Sequence, residues 1–355
     1  MDERKNIKIF TQLDPVMETI GLLYISDHQA DYKREWIESC NELGINGELF
    51  FEKHMGYLED YLKEFEKHKV LSDEASFFIN VNSNSKEMDL FFRVMFYGIL
   101  NNHKWLNDFS NVTEEVILEL MLELLAPKSN KHQEELTLYS VRTTDKFIAF
   151  LDECEASERE KWMLLQLYCQ PKQMFERWIN VISSNIQAYE KAFKAVESHF
   201  NKLMESYEDS LKTQKLSAYK NIVDGIQDEL FVYPTLAFPN TLSLLKDTIY
   251  YGLLLDLIPI DNDSPEEIKE FLHIRLKALA DMSKLQILML LKQGEKYNLE
   301  IAEQIGLTAA TTSHHMNALL ATGFVGINKQ AGKVYYHLEK EGIKHLIDKL
   351  EQYLL

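Results

Sequence analysis

Apolar residues recur every three to four positions along most of the first 230 residues, the spacing of helices buried on one face. Residues 15–26 read as one such helix. In the stretch 50–65, Phe51, Met55, Leu58, Leu62 and Phe65 share a side. Residues 86–106 and 113–125 follow, the second with Thr113 as N-cap and Pro127 as stop, leading into a polar linker at 127–135. The longest pattern is Ile186, Tyr189, Phe193, Val196, Phe200, Leu203 and Tyr207, in alternating steps of three and four. Such a seam serves either a coiled coil between subunits or a long helix packed inside its own domain. Its aromatic bulk, and its end near Leu211, favour the second. Period-two alternation is rarer. It predicts a short strand at 7–11 and a Pro-interrupted, β-rich stretch at 231–260. There, 248–255 is expected to partner the first half in a small hairpin, with proline at an edge or bulge.

The pattern sharpens after Ser264. Ser264 as N-cap, Pro265 at the first helical position and acidic residues behind it open a helix to about Asp281. Ser283 with Gln286 reads as a second capping box, opening a helix at 284–292 that Gly294 stops. Helices at 298–305 and 308–322 flank a tight turn at Gly306. Two alternating strands, 324–328 and 333–338, surround a short Lys329-Gln-Ala-Gly332 turn, and a last helix starts near Glu339. Two short helices around a glycine turn, followed by a hairpin, form a device for laying one helix in the DNA major groove. The fold expected is mainly α: a helical N-terminal domain with a small β-hairpin, plus a C-terminal winged helix-turn-helix domain. The boundary falls at Asp261-Asn-Asp-Ser264, giving domains 1–263 and 264–355.

Length supports that division, since 355 residues exceed one ordinary domain. Charge adds a functional argument. From Glu266 onward there are 11 basic and 11 acidic residues, so the first 265 carry the whole net charge of −18. An acidic body with a neutral reader fits a regulator that touches DNA with one part only. The three cysteines, Cys40, Cys154 and Cys169, are odd in number and widely spaced, and so form no disulfide framework. No apolar signal region follows the first residues, and no window is long and apolar enough to span a bilayer. A cytoplasmic protein with no membrane partner is therefore expected.

On a helical wheel of 308–322, Thr312, Met316, Leu319 and Leu320 fall on one side, facing Ile301, Ile305 and Ile287. His314 and Asn317 point the other way, with Thr311 nearby and Ser313 and His315 on the shoulders. Hydroxyl, imidazole and amide groups there can bond base edges or phosphates. Thr308 caps the helix and aims its N-terminus at a phosphate. Lys329 and Lys333 flank the wing tip as candidate phosphate contacts. A metal pair from His314 and His315 is disfavoured, because neighbours in a helix do not share a face. No catalytic motif, metal ligand set or cofactor signature occurs in the body, so no enzyme activity, metal or cofactor is expected.

Several segments together resemble the ArsR family of winged-helix regulators. They are Leu276-Lys-Ala-Leu-Ala-Asp281, Lys284-Leu-Gln-Ile-Leu288, Glu300-Ile-Ala-Glu-Gln-Ile-Gly-Leu307, Thr312-Ser-His-His-Met316 and Gly332-Lys-Val-Tyr-Tyr336. The resemblance implies a homodimeric DNA-binding regulator whose first and last domain helices form the dimer interface. The stripe Ile343, Leu346, Ile347, Leu350 and Leu354 suits that role. Metal-sensing members carry Cys-x-Cys where this chain has Tyr297 and Leu299, and His337 and His345 do not reproduce their other site. The body resembles an extension found on some ArsR-like proteins, through Asp14-Pro-Val-Met-Glu18 and Val232-Tyr-Pro-Thr-Leu-Ala-Phe-Pro239. The expected function is a transcriptional regulator, a dimeric repressor. It would read double-stranded operator DNA with helix 308–322 and wing 324–338, and be regulated through its N-terminal domain. The alternatives are a metal-responsive repressor, an enzyme or ligand-binding body with an appended DNA-binding module, and a scaffold using the winged helix for protein contacts. If the body takes a small-molecule effector, its aromatic residues, Trp36, Trp105, Trp162 and Trp178 among them, suit an apolar or amphipathic one; singly, each tryptophan is better read as core.

Overall fold

Asp14 opens the first helix: its carboxylate accepts from the Val16 and Met17 amides, and Pro15 presets the first turn. This is a computed structural model. It describes residues 7–42, 47–70, 73–79, 89–125, 143–154, 156–213, 229–245, 247–255, 265–307, 309–330 and 333–355. The body's elements are β1 (Ile7–Ile9), α1 (Pro15–Asp27), α2 (Gln29–Glu42), α3 (Gly47–His54), α4 (Gly56–His68), α5 (Asp73–Ile79) and α6 (Leu90–Leu100). A 3-10 turn (His103–Leu106), α7 (Glu114–Leu125), α8 (Thr144–Glu153), α9 (Glu158–Cys169) and α10 (Pro171–Thr213) follow, and then β2 (Leu230–Thr235), β3 (Leu242–Leu245) and β4 (Thr248–Gly252). The C-terminal segment adds α11 (Pro265–Ala280), α12 (Met282–Leu291), α13 (Asn298–Ile305), α14 (Ala309–Ala321), β5 (Val325–Gln330), β6 (Lys333–Leu338) and α15 (Lys340–Leu354). The fold is mainly α, as its apolar spacing predicts.

The chain forms two compact units. The second is drawn from Asp14–Asp31 and Glu59–Val196 and is helical. Its core is aromatic: Trp178 lies against Phe78 and Phe92, and the Arg177 guanidinium covers Phe77 at 4.9 Å. Polar side chains buried there have defined partners. Glu18 accepts from the Tyr61 hydroxyl at 2.9 Å, and Asn185 holds the Val70 amide at 2.8 Å. Trp105 and Trp178 are core, as the bland reading has it. Trp162 is not: it is 58% exposed, because α9 turns Met163, Leu164 and Leu167 inward instead.

The first unit gathers Met1–Leu13, Tyr32–Leu58 and Glu197–Leu355. It contains a four-stranded sheet in the order β1-β2-β4-β3, larger than the expected hairpin. β2 runs parallel to both β1 and β4, and the antiparallel hairpin is β3–β4. Pro234 is accordingly in an interior strand. Val232 faces β1, accepting from the Phe10 amide, and alternation turns Pro234 to the same side. β1 has ended there, so the missing N–H breaks no ladder bond.

Two helix expectations shift. The stretch 50–65 is two helices broken at Met55, although all five of its apolar positions are buried. The stretch 86–106 begins its described helix at Leu90, capped by Asp89, and ends in the 3-10 turn. The long seam is α10, one helix that keeps Tyr189, Val196, Phe200, Leu203 and Tyr207 buried inside the chain, as its aromatic bulk favours. The linker at 127–135 and the boundary 261–264 lie outside the described residues.

Candidate nucleic-acid interface

The winged domain has a core of its own. Leu272 and Ala278 of α11, Ile287, Leu288 and Leu291 of α12, Ile301 of α13, Met316 and Leu319 of α14 and Leu346 of α15 form one cluster with Phe324 and Val325. α12 starts earlier than its sequence suggests. Asp281, not Ser283, is the N-cap, and its carboxylate accepts from the Lys284 amide at 2.9 Å. Desolvation works against that carboxylate's charge, but the Lys284 amide and the nearby Lys284 and His315 charges outweigh it and hold its pKa below the ordinary value.

α13 ends at Gly306, whose φ of 76° is the left-handed cap that lets the chain turn sharply into α14. On α14, Thr312, Met316 and Leu319 are buried and Leu320 is half-buried. The wheel therefore has the right inner face. Thr311 is exposed, and His315 is half-buried, near enough to Asp281 for its charge to be felt there. The backbone positions of Ser313, His314 and Asn317 lie on α14, with 314 and 317 away from the buried ones; their side chains lie outside the described residues, as do Thr308 and the side chains of Lys329 and Lys333.

β5 and β6 pair antiparallel from Val325↔Leu338 to Gln330↔Lys333, which puts the backbone of Lys329 and Lys333 at the outer end of the wing ladder. A bridge from Lys296 to Tyr336 fastens the hairpin to the stretch before α13. Asn328 donates to Glu295 at 2.5 Å, and the Tyr297 and Tyr335 rings meet edge-on. Burial pushes the Tyr336 hydroxyl up to about 12, so it stays protonated. Tyr297 is packed in this wall and 6% exposed. No cluster of three or more His, Cys, Asp or Glu side chains that could hold a metal occurs among the described residues.

Residues 281–326 match the model of the bacterial regulatory protein, arsR family. The arsenical resistance operon repressor of Staphylococcus xylosus is 34% identical over 76 residues, 21% of this chain and 73% of that protein. The chain belongs to the arsR family. The cadmium resistance transcriptional regulatory protein CadC homolog of Staphylococcus aureus is 35% identical over 74 residues; those cover 21% of this chain and 61% of that one, so the match spans less than two thirds of its length. The transcriptional activator HlyU of Vibrio cholerae is 32% identical over 79 residues, 22% of this chain and 73% of that protein. NolR from Sinorhizobium fredii is a solved structure at 29% identity, covering 26% of this chain and 96% of that one, with a TM-score of 0.22. The C-terminal arsR domain is that of a DNA-binding transcriptional regulator.

The stripe on α15 divides. Leu346 is 2% exposed in the domain's own core, with Ile343 and Leu350 packed against it. Ile347 and Leu354 face outward at 55% and 69% exposure, and Leu276 of α11 is exposed as well. Sequence reading missed Arg275, a charged residue buried on α11 whose Nε donates to the Thr322 carbonyl at 2.8 Å. The signal was available: Leu272, Ala278 and Leu279 stand three before, three after and four after it, so Arg275 sits inside an apolar stripe. No described helix is long and apolar enough to cross a membrane.

Proposed function

We propose that this arsR-family chain is a dimeric, cytoplasmic repressor that reads operator DNA through α14 and the wing. Residues 264–355 form its DNA-binding domain, and the acidic residues 1–263 form a domain for regulation or dimerisation. The observation that carries the reading is α14 itself. Its inner face is buried at Thr312, Met316 and Leu319, while Thr311 is exposed and positions 314 and 317 lie away from the buried ones. Hydroxyl, imidazole and amide groups at these positions are the chemistry that bonds base edges. Repression is the sign named for the arsenical resistance relative. The core that the winged domain owns supports its separation from the body.

Titration of the full chain with a duplex it selects from random-sequence DNA tests the reading. Log affinity should fall steeply and linearly with log salt, as phosphate neutralisation requires. Binding without salt dependence, or no selected duplex, would overturn it and favour a protein-contact role. Cadmium, zinc and arsenite at micromolar levels should leave the affinity unchanged, since Tyr297 and Leu299 offer no thiolate. A loss that a chelator or competing dithiol reverses would return metal sensing to the front.

A further inference from the structure

We propose that Arg275 is a positioning residue for the DNA-reading helix, acting through the turn at 322–324; the proposal rests on the DNA-binding reading above and adds to it. The C-terminus of α14 closes with paired backbone bonds. The Phe324 amide donates to the Leu319 carbonyl and the Gly323 amide to the Leu320 carbonyl, both at 3.0 Å. Gly323, at φ 70°, takes the left-handed conformation this closure needs. The Thr322 hydroxyl turns back to the Ala318 and Leu319 carbonyls. The Thr322 carbonyl points out of this set, and the buried Nε of Arg275 donates to it.

Burying a guanidinium is costly unless it is hydrogen-bonded. An apolar side chain would continue the α11 stripe without that cost. What the arginine supplies is a charge-assisted bond at the negative end of the reader helix, where the carbonyls of the last turn converge. At 4% exposure it does not reach a phosphate.

Two further contacts fall on the same turn. Gly342 of α15 approaches Gly323 so closely that a Cβ there would overlap the Gly323 carbonyl. The Glu339 amide, at the start of α15, donates to the Phe324 carbonyl at 2.9 Å. β5 begins at the next residue, Val325. α11, α15, the reader helix and the first wing strand therefore meet within three residues. A change in how α11 and α15 are held is transmitted to the pitch of α14 and to the wing at this point.

The experiment compares Arg275→Met, Arg275→Gln and Arg275→Lys in the full chain. Affinity for the selected duplex is measured across salt concentrations, and amide hydrogen exchange of residues 322–325 is measured in the free protein. Arg275→Met should lose about tenfold in affinity at each salt concentration, with the slope on log salt unchanged, and should exchange those amides faster. Arg275→Lys, which keeps a charged donor, should recover most of both. If the Met variant does not fold, the Gln variant carries the comparison, because it keeps a neutral donor of similar shape. A slope reduced by about one unit would make Arg275 a phosphate contact and overturn the proposal. So would wild-type affinity and exchange in both neutral variants, or failure of lysine to rescue. If the wild-type chain selects no DNA, the DNA-binding reading fails, while exchange at 322–325 still decides whether Arg275 fixes the turn.

Discussion

His103 and Asp14 make the clearest pH-sensitive contact in the second unit. The His103 Nε2 lies 3.0 Å from the Asp14 carboxylate, whose other oxygen caps α1. Burial opposes the imidazolium, but the hydrogen bond and the charge of Asp14 outweigh it and raise the His103 pKa above its ordinary value. Folding therefore favours the protonated form. The stabilisation is fully present below the ordinary histidine value of about 6.5 and is lost as pH rises through the raised folded value. Urea midpoints of the wild type and of His103→Gln should converge as pH rises from mildly acidic to alkaline; a gap independent of pH would remove the ion pair from the account. A second residue-scale expectation concerns the reader. His314→Ala should cost roughly 1–3 kcal/mol on the selected duplex and much less on random DNA. Lys329→Ala should weaken both alike and lower the salt slope by about one unit per lost phosphate contact. Equal losses for His314→Ala on both duplexes would move it from base reading to phosphate contact. The capping residues show how local chemistry misleads. Ser283 with Gln286 has the spacing of a capping box, yet Asp281 is the N-cap, its carboxylate bonded to the Lys284 amide. Both are favoured N-cap residues, and only the backbone conformation chooses between them.

At the scale of elements, the α15 stripe divides between the domain core and an exposed face proposed for the dimer. Leu346 fills the winged domain's core, while Ile347 and Leu354 stay outside it. Removing the helix would therefore disturb folding along with the proposed assembly. Replacing Ile347 and Leu354 by aspartate separates them: the domain should keep its helicity and melting transition, while sedimentation shows monomers. A dimer that survives the double substitution would place the interface elsewhere, in the body or on other faces of the winged domain. The sheet makes the same point for strands. Period two marked residues 7–11 and the β-rich stretch after 230, but not that β1 pairs with β2, whose first residue stands more than 200 positions away. Register follows alternation within a strand, whereas pairing follows from which surfaces the intervening helices bring together.

For the whole molecule, the uneven charge has a measurable consequence. All of the net −18 lies before residue 266, while the rest is neutral. An acidic body opposes the approach of a polyanion, and salt screens that opposition over about 10 Å at 0.1 M. Residues 265–355 expressed alone should bind random DNA more tightly than the full chain at low salt, with the two converging as salt rises. A fragment that binds more weakly at every salt concentration would mean that the body supplies contacts or holds the dimer that binding needs.

The local order of the winged domain was legible in the sequence because it is written in short-range chemistry. Gly306 readily takes the left-handed cap that ends α13, and α13 begins and ends where the apolar spacing put it. The inner face of α14 followed from a period of 3.6. Mainly helical composition followed from the same spacing across the body. What only tertiary structure decided lies between elements. Arg275 belongs to an apolar stripe and reads as an exception until the Thr322 carbonyl stands opposite it. Gly342 looks like a weak helix residue until the Gly323 carbonyl occupies the place of its side chain. Pro234 argues against an interior strand until β1 proves to end before it. In each case a residue's meaning depends on a partner brought by a distant segment, and periodicity carries no information about which segment arrives.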